Sequence, residues 1–305
     1  MKEIAVAEAA FAGVGIIRRH PAAVVVWGVL FVAFLLIVML GFAGPFAKAF
    51  TVLSDPALAR EDPQAVLAAL SGAAGGYFFF LLGALVLGAV ITGAVMRAFF
   101  HPEDSGFFYV RLGTRELWLL LTTFVQSLVI ACVQLVAGLP VSVVSGLVSM
   151  ASPGAGTAVN VVGQLLLYLV GGYVYVRLAM APAMTFTQSR FRLFESWPMT
   201  RGHVLKMVLV WLLVLAMSLA IYFIAVVVLA VAAGGIIMNI PGLKDPVAFF
   251  ERPVAEWAAV LAPALAIGGA IFSVVIGMIA ALGYAPFAHI YRQLNPDADT
   301  AATFS

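Results

Sequence analysis

The chain has 305 residues, of which 64% are apolar and only 10% are charged, with a formal charge of +2. Soluble domains carry about 25% charged residues, so this balance excludes an ordinary soluble domain. Between Glu116 and Arg177 there is no Asp, Glu, Lys or Arg at all. A bilayer core of about 30 Å takes about 20 helical residues to cross, so that stretch is long enough to cross, turn and cross back.

Residues 1–20 read as an interfacial helix. Lys2, Glu3 and Glu8 sit on one side and Ile4, Phe11, Val14 and Ile16 on others, and the segment ends in Arg18-Arg19-His20-Pro21. The following domain, 21–291, contains six apolar runs, predicting an all-α six-helix membrane bundle with spans at about 22–44, 76–98, 117–140, 158–181, 206–236 and 258–288. Residues 292–305 form a tail. The first run is too long for a signal-peptide core, so it reads as an uncleaved anchor.

The intervening loops carry start and stop signals. In the first, 45–75, Asp55-Pro56 and Asp62-Pro63 are helix-start pairs, and 64–70 reads as a short surface helix. The last, near Asp245-Pro246 and Pro253, repeats that spacing. Duplication of a span–loop–span hairpin and a chance recurrence of Asp-Pro starts are both open. The Gly/Ser/Pro-rich stretch 141–157 reads as an uncharged link. The single Cys132 falls mid-span, cannot form an intramolecular disulfide, and reads as a small buried packing residue.

With the N-terminus on the cytoplasmic side, twelve of the sixteen cations lie inside and four outside. The positive-inside rule then places both termini in the cytoplasm. Twelve Arg against four Lys, with abundant Ala, Val and Gly, is a composition of high-GC bacteria.

The elbow after the fourth span has a distinctive pattern. Tyr175-Val-Arg177-Leu-Ala-Met-Ala-Pro182 is followed by Phe194-Glu-Ser196-Trp197-Pro-Met-Thr200-Arg201-Gly202-His203. Physically, Arg177 falls at headgroup depth and Pro182 stops or kinks the helix. Ser196 or Thr200 is placed to cap a following helix, and Gly202 to allow the turn into span five. This pattern, with Phe11 and Arg19-His20-Pro21, resembles a bacterial group of six-helix inner-membrane proteins. The group includes the membrane domain attached to some glycerophosphoryl diester phosphodiesterases. The resemblance implies a fold rather than an activity, because the soluble barrel that carries catalysis in the fused enzymes has no counterpart here.

Candidate functional residues form two sets. Arg97, Arg111, Arg115, Arg177, Arg190, Arg192 and Arg201, with Trp197, are expected to ring the cytoplasmic rim, where they set topology or bind anionic lipid or a partner protein. Gln126, Gln134, Asn160, Gln164 and Tyr168, joined by Thr123, Ser127 and Tyr175, form polar stripes on spans three and four. These read either as a substrate pathway or as inter-helix hydrogen bonding. Small residues such as Gly83, Gly88, Gly93, Gly268 and Gly269 suit close helix packing.

No span has an ionisable residue in its middle, and no phosphate loop or metal-spaced motif appears. His20, His101, His203 and His289 come from four separate elbows without ligand spacing. The expectation is a non-enzymatic inner-membrane protein without cofactor, metal or nucleic-acid partner, organising lipid or a partner or self-associating. A small transporter and a membrane subunit of an enzyme complex are the alternatives.

Overall fold

The computed structural model describes residues 4–54, 62–238 and 254–295, and these are helical throughout apart from short connections. In chain order the helices are α1 (Val6–Arg19), α2 (Pro21–Ser54), α3 (Pro63–Phe100), α4 (Thr114–Ala151), α5 (Pro153–Leu178), α6 (Ala181–Gln188), α7 (Ser196–Met199), α8 (Val204–Met238) and α9 (Val254–Leu294). A 3-10 turn, Gly106–Tyr109, lies between α3 and α4. Six helices, α2–α5, α8 and α9, are long and apolar enough to cross a membrane. The chain is an all-α protein with the six spans its hydropathy predicts.

The helices outrun those predicted spans. α4 has 38 residues, about 57 Å at 1.5 Å per residue, well beyond the hydrocarbon thickness. Residues 45–54 extend α2, 63–75 belong to α3, and 141–157 are almost wholly helical. Two expectations are thereby corrected: the surface helix at 64–70 is the start of α3, and the link 141–157 shrinks to Ser152. Pro45 and Pro140 sit inside α2 and α4. Proline is tolerated in long apolar helices where neighbours satisfy the freed carbonyl. The Asp62-Pro63 start is as expected: Asp62 Oδ1 accepts from the Gln64 and Ala65 amides at 3.1 and 3.0 Å. Asp55-Pro56 and Asp245-Pro246, on which the duplicated hairpin depends, lie outside the described residues.

The chain divides into two compact units. One comprises Met1–Ala12, Gly88–Leu213 and Tyr284–Ser305; the other comprises Gly13–Leu87 and Val214–Gly283. In the second unit α2 crosses α9 backbone to backbone. A Cβ on Gly28 would lie 1.6 Å from the Ser273 carbonyl oxygen, and one on Gly277 would lie 1.9 Å from that of Val24. Only glycine permits this approach. Gly83 accommodates the Phe34 ring in the same unit, whereas Gly88 meets nothing.

In the first unit α4 and α5 form an antiparallel hairpin that reverses at Ser152. Ser152 caps α5 by accepting from the Ala155 amide at 3.5 Å, with Pro153 opening the helix. Gly156, Gly163 and Gly171 of α5 face Ser149, Val141 and Gln134 of α4, at near-constant register about the turn. The hairpin's outer surface is apolar and exposed, with Leu135, Val136, Leu139, Leu147, Leu165 and Leu169 all open. Cys132 is exposed too, not buried as expected. Its neighbours explain the difference: the seam between the helices is filled by glycines and Gln134, leaving Cys132 on an outward face.

Candidate functional site

The arginine-bearing ends of α3, α4 and α5 belong to the first unit. Arg97, in the last turn of α3, is 4% exposed and forms an ion pair with Glu116 in the first turn of α4, itself 5% exposed. Gly93 makes room for this carboxylate: a Cβ there would come within 3.0 Å of Glu116 Oε1. Arg97 also donates to the Tyr109 carbonyl and lies 5.7 Å from the Phe186 ring centre. It is therefore a clamp inside the protein and not part of an open rim.

The clamp holds a strap, residues 101–113, across this end. Phe107, Phe108 and Tyr109 have φ of 42°, 57° and 67°, left-handed values that cost roughly 1–2 kcal/mol per non-glycine residue. The strain is offset where the strap is tied down. Tyr109 is buried, its hydroxyl donates to the Pro102 carbonyl at 2.9 Å, and Arg97 holds its own carbonyl. The turn leaves Phe107 71% and Leu112 82% exposed. Arg111 pairs with Asp104 within the strap.

Beside the strap is an open pocket of about 480 Å³ lined by Arg97, Asp104, Arg111, Leu112, Gly113, Thr114, Arg115, Glu116 and Ser189. Three guanidiniums face two carboxylates. Gly113 supplies no side-chain cap to α4, and this N-cap and the first-turn residues Thr114, Arg115 and Glu116 line the pocket, at the positive end of the dipole of a 38-residue helix. Arg115 Nε donates to Ser189 Oγ at 3.1 Å, and its guanidinium carbon lies 5.4 Å from the Phe186 ring centre. The arrangement can accept an anion.

The elbow after α5 is built differently. Ser196 Oγ donates to the Arg177 carbonyl at 2.8 Å and accepts from the Met180 amide at 3.2 Å. Thr200 Oγ1 lies 3.1 Å from the Ser196 carbonyl and 3.4 Å from that of Arg177. These hydroxyls close back on the end of α5 and do not cap a following helix. Pro182 likewise opens α6 rather than stopping α5. Gly202 has φ of 82° and makes the turn before α8, as expected.

Arg177 itself is 5% exposed. Its guanidinium carbon stands 4.6 Å over the Trp197 ring, and its Nε has no hydrogen-bond partner. It makes no ion pair among the described residues. A desolvated aromatic face offsets about 2 kcal/mol and a helix C-terminus up to about 2 kcal/mol. Desolvating an ion costs several kcal/mol. Of the two buried arginines among the described residues, Arg97 has a carboxylate there and Arg177 has none.

The remaining rim candidates lie outward. Arg190 and Arg201 are exposed and Trp197 is 41% exposed. Arg192 pairs with Glu195 at 2.7 Å, and this hydrogen bond holds the Glu195 carboxyl below its ordinary range. The structure divides the polar stripes. Asn160, Gln164 and Tyr168 are exposed on the outside of α5. Gln134 Nε2 donates to the Leu167 carbonyl at 3.1 Å and knits the hairpin. Gln126, Thr123 and Ser127 of α4 and Tyr175 of α5 instead line a cavity of about 130 Å³, together with Thr92 and Tyr284.

Sequence reasoning passed over Phe186 and Ser189, and it did not pair Glu116 or Asp104 with an arginine. The available signal was that Glu116 is the last charge before sixty uncharged residues and Arg97 is the cation at the end of the preceding helix. Among the described residues no three of His, Cys, Asp and Glu gather closely enough to hold a metal ion. His101 stands beside Glu103, and His289 beside Gln293 and Phe99. No protein-family model, curated protein or solved structure matches the chain.

Proposed function

We propose that this is a non-enzymatic multi-pass protein of a bacterial inner membrane that organises anionic lipid at its arginine-bearing helix ends, with both termini cytoplasmic. The observation that supports this most is the pocket at the start of α4. It combines an excess of guanidinium over carboxylate and an uncapped helix N-terminus with Phe107, Phe108 and Leu112 exposed on the adjoining strap. Arginines at headgroup depth attract phosphate, and the apolar side chains beside them suit the acyl boundary. Kinship with the membrane domain of the glycerophosphoryl diester phosphodiesterase group belongs to the same proposal. The apolar outer surface of the α4–α5 hairpin suits lipid, a membrane partner or a second copy.

The test is lipid enrichment. Full-length protein in nanodiscs of equimolar phosphatidylglycerol and phosphatidylcholine should hold phosphatidylglycerol preferentially. Arg111→Gln/Arg115→Gln should weaken that preference about thirtyfold, at about 1 kcal/mol for each of the two juxtamembrane cations. Equal enrichment by wild type and the double variant would count against the reading.

A second reading is favoured by the cavity around Gln126, whose hydroxyl and amide lining suits a small uncharged solute. Loss of solute uptake in Gln126→Leu proteoliposomes, with unchanged lipid enrichment, would move the assignment to transport.

A further inference from the structure

We infer that Arg177 is the cation of a second, built anion site that takes one phosphate group at the elbow after α5. The inference rests on the lipid-organising reading only for the source of the anion. Its basis is the contrast between the two buried arginines. Arg97 and Arg177 are 4% and 5% exposed, yet among the described residues only Arg97 meets a carboxylate, and the buried Arg177 Nε finds no hydrogen-bond partner there.

The elbow fixes this guanidinium without occupying its donors. Ser196 and Thr200 hydroxyls are engaged with backbone carbonyls, so they hold the helix end and not the charge. Trp197 takes one face of the guanidinium plane at 4.6 Å. The N–H groups of a guanidinium lie in its plane and point away from a stacked ring. That in-plane fork matches two oxygens of a phosphate. Tyr173 packs edge-on against Trp197 at 6.1 Å, which steadies the ring that carries the cation. Trp197 and Phe194 are open to the surroundings, so the site lies at a boundary that a lipid headgroup reaches. A headgroup phosphate and free inorganic phosphate offer the same chemistry.

Native mass spectrometry of full-length protein in phosphatidylglycerol nanodiscs tests the site. Wild type should keep one last phosphatidylglycerol under activation, Arg177→Met should lose it, and Arg177→Lys should hold it about tenfold more weakly. Arg111→Gln/Arg115→Gln should keep it, which separates this site from the α4 pocket: that pocket can fail its own test while this lipid is still retained. The free-phosphate arm uses phosphatidylcholine nanodiscs with inorganic phosphate exchanged for chloride at constant ionic strength. A rise in Tm in wild type but not in Arg177→Met, without lipid retention, assigns the site to free phosphate. Equal lipid retention and equal phosphate response in wild type and Arg177→Met would overturn the inference. If Arg177→Met does not fold, unchanged binding by Arg177→Lys overturns it.

Discussion

Glu116 and Ser196 show how much single side chains carry at this end of the molecule. Glu116→Gln removes the charge that compensates buried Arg97 and should destabilise the protein by about 3–5 kcal/mol. The double change Arg97→Met/Glu116→Leu should recover most of that loss, because it removes both desolvated charges. Chemical denaturation in detergent micelles checks the pair, and equal loss in the single and double variants would contradict the clamp. Ser196→Ala strands the Met180 amide and takes a donor from the Arg177 carbonyl, both buried. It should cost about 1–3 kcal/mol. Glu195 behaves in the opposite sense. Its folded pKa is held down by Arg192, so its stabilisation is present above the ordinary carboxylate range and fades as pH falls through the folded value. The pair is exposed and worth about 0.2–1 kcal/mol. Arg192→Gln should therefore lower Tm slightly at neutral pH and leave it unchanged in acid.

At the scale of elements, the close approaches are made by glycines that hydropathy could not rank. A Cβ on Gly28 would strike the backbone of α9, which cannot rotate away as a side chain can. Gly28→Ala should therefore destabilise or abolish folding. Gly75→Ala, with nothing within 4 Å, should be neutral or stabilise by up to about 1 kcal/mol. Thermal unfolding of the two variants in the same detergent separates these outcomes. The sequence singled out Gly83 and Gly93 correctly, since both face bulky side chains, but also Gly88, which faces nothing. Gly28, Gly277, Gly156 and Gly163 went unremarked because contact depends on helix rotation. Boundaries were legible where a polar cap marks them, as at Asp62-Pro63. They were misread at 141–157, where Gly, Ser and Pro signal a turn in water but continue a helix when neighbouring groups supply the packing.

On the scale of the whole molecule, charge placement makes a topology prediction. Single cysteines replacing Lys48 and Arg111, in a Cys132→Ser background, should be labelled by an impermeant thiol reagent from opposite sides of the membrane, with Arg111→Cys reacting only from the cytoplasm. Labelling of both from one side would overturn the assignment. The number of spans was readable from the sequence because crossing a bilayer is a local property: about 20 apolar residues in a row suffice. The distribution of arginine at helix ends was readable for the same reason. Which arginine is clamped, which is stacked and unpaired, and which is open was decided only by the tertiary structure. Helices that are apolar on every side have no polar face to fix their rotation, so hydropathy is silent about which side of α3 meets α4. That rotation puts Arg97 against Glu116 and leaves Arg177 on Trp197 with no carboxylate among the described residues.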